Sequence, residues 1–252
     1  MQFFVSEDSV VRKIWGKSDT ILFIFAGAAA EFALNKAVDW LYFTGKLPTD
    51  PLGRLFSTVR YARMIVFAPL DDANHAIATM TQIHKGVENK RGAQIPDWAY
   101  RDVLFMLIYY SIASYQLLEK KLTQSEKQEV YDVFYRVGKG MGLKELPENY
   151  ATWLSAREQH LLTNLEKSDL TVDLFKQYRK HLSFVRYKLL IEAQKLVVPK
   201  HVIKLMGFSN YSLLSPVIPM YKLGRLCKLD GIIKAILLPP SYKNQIKDLD
   251  VV

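Results

Sequence analysis

Apolar residues recur along this chain at spacings of three and four, and no stretch shows the alternation and hairpin turns of a β-sheet. The pattern predicts helices over residues 9–15, 19–38, 51–67, 71–87 and 97–120, then from Thr123 to about Gly138, and over 147–165 and 171–197. Asp50-Pro51 reads as an N-cap followed by proline in a first turn. Asp71 is placed to cap the next helix, and residues 90–96 read as a loop. Thr123-Gln-Ser-Glu126 has capping-box spacing, in which hydroxyl and carboxylate reciprocally satisfy orphan backbone N–H groups. Residues 103–118 lack a polar stripe and predict a central helix buried on all sides. Pro199, Pro216, Pro219 and Pro239-Pro240 break the remainder. The expectation is one all-α domain, with a core over about 8–197 and a proline-broken C-terminal extension over about 198–252.

Composition narrows the chemistry. One thiol, Cys227, excludes a disulfide scaffold, a cysteine-held iron–sulfur cluster and a zinc finger. Residues 1–5 are apolar, but Ser6, Glu7 and Asp8 follow at once, which is not a signal-peptide pattern. Every long uncharged run falls short of the roughly 20 residues that span a bilayer. A cytoplasmic protein is expected, with peripheral attachment to the inner face of the membrane as a second location. The net charge of +9 is concentrated. Lys176 to Lys234 carries twelve basic residues against Glu192 and Asp230, leaving the rest near −1. Such a surface suits an anion.

No Glu precedes a His by three residues, and no HExxH, GxSxG, P-loop or GxGxxG pattern occurs. A cofactor held by one side chain is left. Ala73, Ile77, Met80, His84 and Val87 fall on one apolar stripe, so His84 is expected to point inward. Two roles suit that setting: a core histidine bonded to a carbonyl, or a ligand to haem iron. On the preceding helix Arg54, Thr58, Tyr61 and Ile65 share a face. An inward Arg54 needs an anion, which a haem propionate, a bound oxygen species or an internal carboxylate would supply, whereas at the rim it would pair with a nearby Asp.

Asp8-Ser-Val-Val-Arg-Lys-Ile-Trp-Gly16, Thr49-Asp-Pro-Leu-Gly-Arg-Leu-Phe-Ser-Thr-Val-Arg-Tyr61 and Gln82-Ile-His-Lys-Gly-Val87 resemble successive signatures of the MpaB-type oxygenase family, which includes the latex clearing protein. Ile95-Pro-Asp-Trp98, Leu122-Thr-Gln-Ser-Glu126, Gly140-Met-Gly-Leu-Lys-Glu-Leu-Pro147 and Leu237-Leu-Pro-Pro240 continue the similarity in order. The resemblance implies a partly globin-like helical fold binding haem b and, in rubber-cleaving members, dioxygenase action on a polyisoprenoid. It implies His84 as proximal iron ligand, Arg54 and Thr58 on the distal-side helix, and an acid acting as base, for which Asp39 is first choice and Glu31 second; Tyr61, which shares the Arg54 face by spacing, is added as a cofactor-binding candidate. Ser57 stands where the latex clearing protein has a lysine, and Gly27-Ala28 replaces the usual His-Pro.

Three functions follow. The first is a haem-dependent oxygenase taking dioxygen and an apolar, isoprenoid- or lipid-like substrate, its pocket lined by residues such as Phe105, Met106 and Tyr109. The second is a non-catalytic hydrophobic-ligand or membrane-surface binder. Nucleic-acid binding is not expected, because Tyr178, Phe184 and Tyr187 sit at core spacings. In the basic region, Leu174, Tyr178, Leu182, Val185 and Leu189 should pack inward, leaving Lys176, Arg179, Lys180, Arg186 and Lys188 to face anionic lipid.

Overall fold

The structure, a computed structural model, describes residues 2–45, 49–226 and 250, apart from the side chains at positions 51, 52, 54–56, 225 and 226. Cys227 and the Pro239-Pro240 pair lie outside the described residues. Twelve helices and no strands are found among them: α1 Val10–Trp15, α2 Ser18–Leu34, α3 Val38–Phe43, α4 Pro51–Phe67, α5 Leu70–Arg91, α6 Asp97–Leu118, α7 Gln124–Gly140, α8 Tyr150–Asn164, α9 Asp169–His181, α10 Phe184–Val197, α11 Lys200–Met206 and α12 Val217–Leu226.

Helices α2 and α6 cross at the centre, and α1, α3, α9, α10 and α11 pack around α2. Both central helices are apolar nearly all round, which only burial on most sides stabilises. In α6 this holds except at positions such as Val103, which reaches solvent. Their crossing is close at Gly27, where a Cβ would lie 2.3 Å from the Tyr110 ring. The small residue there is what lets that ring lie against α2.

Several expected boundaries shift. The helix expected over 19–38 stops at Leu34, because the Asn35 side chain turns back to accept the Ala37 N–H and also donates to Asp102. Asp71 does not cap α5; Pro69 holds that position, and Asp71 and Asp72 lie in the first turn, where carboxylates favour the helix dipole. The helix expected over 171–197 is two helices. Leu182 and Ser183 are extended, and the Ser183 hydroxyl caps α10. That break rotates Val185 out of the stripe expected to face inward, so Phe184 and Val185 are each 64% exposed.

Candidate functional site

Helices α4 and α5 form a tight hairpin. Asp50 caps α4 by accepting the Gly53 N–H at 2.8 Å, with Pro51 in the first turn. Ala68 is extended ahead of Pro69, as a residue before proline prefers, and α5 begins at once. It ends at Gly92, whose φ of 70° closes a left-handed cap, with Lys90 and Arg91 in the last turn. The two helices pack along each other. His84 lies fourteen residues after Leu70 and Arg54 thirteen before Phe67, so at 1.5 Å per residue both stand about 20 Å from the turn. The connection therefore sets Arg54 and His84 level across the hairpin, although the Arg54 side chain lies outside the described residues.

His84 is half-buried and its Nδ1 is shielded from solvent. Its stripe behaves as the spacing predicts over the first turns, where Ala73 and Ile77 are fully buried, and becomes half-buried at Met80, His84 and Val87. Tyr100, in the first turn of α6, meets the imidazole edge-on with ring centroids 5.3 Å apart. The Tyr100 hydroxyl donates to Glu88 at 3.2 Å, and Glu88 also accepts the Ile95 N–H at 2.9 Å. Burial, with the Glu88 carboxylate beside it, raises the Tyr100 pKa and keeps the phenol protonated. On α4, Ser57, Thr58 and Tyr61 are half-buried and Ile65 is in the core.

Asp39 joins this end of the hairpin from α3. Its carboxylate accepts from the Arg91 guanidinium at 2.6 Å, and Arg91 lies over the Trp40 ring at 4.0 Å and the Phe43 ring at 5.5 Å. Arg91 follows His84 by seven residues, two helical turns, so Asp39 reaches the same side of α5 about 10 Å along the axis from His84. Asp39, on a short helix that the sequence pattern did not predict, thus stands at the same end of the hairpin as His84.

Glu31, the second choice for the acid, is elsewhere. It is fully buried on α2, and both its oxygens accept from Arg157 of α8, one at 2.5 Å. Tyr110 of α6 donates to it at 2.8 Å, and Tyr109 lies under the Arg157 guanidinium at 5.3 Å. Arg157 keeps its charge despite desolvation because Glu31 faces it, and the Tyr110 pKa is raised by burial and by Glu31. A second buried cluster, Asp102 with His160, Asn35 and Asn164, joins α6 and α8 to the end of α2. Sequence reasoning missed both clusters; their only signal was a set of polar residues inside apolar helices. Phe105 and Met106, expected to line a pocket, are core residues, with Phe105 packed on Trp153 and His160. Tyr109 is half-buried beside Arg157.

The donor set fits a prosthetic group more closely than a bare ion. Among the described residues no three His, Cys, Asp or Glu side chains converge as a metal cage. One imidazole on an apolar helical edge matches iron that a macrocycle already holds, which needs a single proximal ligand. The facing helix brings hydroxyls, at Thr58 and Tyr61, rather than further metal ligands.

A family model described as ER-bound oxygenase mpaB/B'/Rubber oxygenase, catalytic domain, matches residues 13–226. Searches of curated proteins and of solved structures return no match.

Proposed function

The chain belongs to the mpaB/rubber oxygenase catalytic-domain family, and on that footing we propose that it is a haem b-dependent oxygenase joining dioxygen to an apolar, isoprenoid- or lipid-like substrate. The observation that carries this reading is the position of His84, half-buried on α5 and level across a two-residue turn with Arg54 of the facing helix.

In this reading His84 would hold the haem iron, and Tyr100, edge-on to its ring, would fix the imidazole plane. Bound haem would supply the capture and activation of dioxygen. Thr58 and Arg54 would donate hydrogen bonds on the α4 side and orient the substrate, and Tyr61 would border the same space. Asp39 would take a proton from an allylic carbon. Its second carboxylate oxygen would take the proton while the first keeps the hydrogen bond it accepts from Arg91, so Arg91 would act as its positioning residue. With serine at position 57, α4 presents no amine there, so exogenous imidazole should bind the hemin-loaded protein readily. The chain would meet its apolar substrate at an anionic membrane surface, as a peripheral protein; no helix among the described residues is long and apolar enough to cross a bilayer.

Hemin titration of the purified chain tests the reading. The expected result is a Soret band that forms stoichiometrically in the wild type and is lost in His84→Ala, with oxygen uptake on unsaturated lipids that falls in Asp39→Asn. No Soret band, or an unchanged one in His84→Ala, overturns it and leaves a hydrophobic-ligand binder that kept the fold.

A further inference from the structure

The corner between α9 and α10 has no role in the site above. Leu182 and Ser183 are both extended, with φ, ψ of −104°, 144° and −61°, 158°, so the chain turns there and α10 starts afresh. Phe184 and Val185 occupy its first two positions, each 64% exposed. Two large apolar side chains standing side by side in water cost free energy that folding does not recover.

Their surroundings are cationic. Lys176, Arg179 and Lys180 in the last turns of α9 and Lys188 on α10 are exposed. No carboxylate occurs between residues 176 and 188. The flanking acids are turned elsewhere: Asp173 accepts from the Tyr42 hydroxyl at 2.9 Å, and Glu192 accepts from Lys195 at 2.6 Å and from the Leu213 N–H at 2.7 Å. The Lys188 ammonium lies 5.7 Å from the Phe184 ring centroid, so charge and apolar surface are interleaved. The other face of α9 is anchored, with Leu174, Phe175 and Tyr178 in the core.

From this arrangement we propose that the α9–α10 corner is the docking surface for an anionic lipid bilayer, with Phe184 and Val185 entering the acyl boundary and Lys176, Arg179, Lys180 and Lys188 meeting headgroup phosphates and carboxylates. Cations ringing an exposed apolar tip suit a surface that is anionic outside and apolar beneath, which a bilayer is. A nucleic acid would call for several exposed rings for stacking, and here one ring stands beside an aliphatic side chain. The proposal deepens the peripheral-membrane part of the proposed function and is independent of haem binding.

The test is co-sedimentation of the full chain with phosphatidylcholine vesicles, with and without phosphatidylserine. The wild type should bind the mixed vesicles and not the neutral ones, and binding should fall with added salt. Each cation removed from such a surface weakens binding about fivefold, so Arg179→Glu with Lys180→Glu should reduce it by well over an order of magnitude. Phe184→Ala with Val185→Ala should weaken it about tenfold. These positions are exposed, so helicity by circular dichroism and the hemin Soret band, read without vesicles, should match the wild type in both variants. Emission from Phe184→Trp should shift to the blue on binding and be quenched by brominated acyl chains. Binding that ignores phosphatidylserine, absence of vesicle binding, or variants that bind like the wild type overturns the proposal; retention on an acidic polymer without vesicle binding overturns it in favour of an acidic macromolecular partner. A missing Soret band in a chain that docks as described would count against the haem reading alone.

Discussion

At the scale of single residues, the interior is organised by Glu31. Its carboxylate is closed off by Arg157 and Tyr110, drawn from two other helices, and Tyr110 reaches it only because Gly27, one turn earlier on α2, leaves room for the ring. Removing one partner strands the other charge in the core. Arg157→Met or Glu31→Gln should therefore each destabilise the fold by about 3–5 kcal/mol, and replacing both with apolar residues should cost less than the two single changes together. Urea unfolding of the three variants measures this; additive losses would contradict coupling. Gly27→Leu should cost about 1–3 kcal/mol by overpacking against Tyr110. None of this was legible in the sequence. Glu31 and Arg157 lie 126 positions apart, and helical periodicity reports which face is apolar, not which polar groups from other helices meet there. The side of α5 on which His84 lies was legible, because its whole stripe shares one helix.

At the scale of elements, legibility follows the capping chemistry. The starts of α1, α4 and α7 were readable because Ser9, Asp50 and Thr123 use side chains that bond the backbone locally. The breaks at Asn35 and Ser183 carry the same residue types, but the apolar pattern runs on through them, so periodicity hid them. The consequence is largest at Ser183, where a stripe expected to face the core is split and Val185 emerges in solvent. For α7 the cap makes a quantitative prediction. Thr123 accepts the Glu126 N–H at 3.1 Å and Glu126 accepts the Thr123 N–H at 2.7 Å. Thr123→Ala should cost about 1 kcal/mol. Hydrogen bonding from Lys120, and then from the Thr123 backbone, lowers the Glu126 pKa to about 2. Because the folded value is depressed, this group's contribution is present above the ordinary carboxylate range and is lost as pH falls from there toward about 2. Acid titration of stability should be measurably flatter in Glu126→Gln, and an unchanged slope would show that the cap carries no pH dependence.

At the scale of the whole molecule, the two ends of the α4–α5 hairpin are held by different means, and under the proposed function this separates stability from activity. The turn end is built into the core. Phe4 N–H donates to Ala68 and Leu70 N–H to Gln2, so the N-terminal segment lies against the turn. Phe4 is buried beneath the Arg136 guanidinium at 4.4 Å, and Arg12 spans the Phe3 and Phe67 rings while its Nε donates to the Val5 carbonyl. At the far end His84 and Asp39 are half-buried, and Asp39 is joined to Arg91 by a partly exposed ion pair. An ion pair of that kind contributes about 0–1 kcal/mol, whereas truncating a buried phenylalanine costs about 3–5 kcal/mol. Phe4→Ala should thus lower the melting temperature markedly, yet below its transition it should give the same hemin spectrum as the wild type, since the turn stands about 20 Å from His84. Arg91→Ala should do the reverse: it should melt within a few degrees of the wild type while oxygen uptake changes, because Asp39 loses the group that positions it. Thermal melts and hemin spectra on both variants, with oxygen uptake on Arg91→Ala, decide the matter. A loss of stability in Arg91→Ala equal to that in Phe4→Ala would mean that the α3–α5 contact is structural, and Asp39 would then lose its claim to proton chemistry.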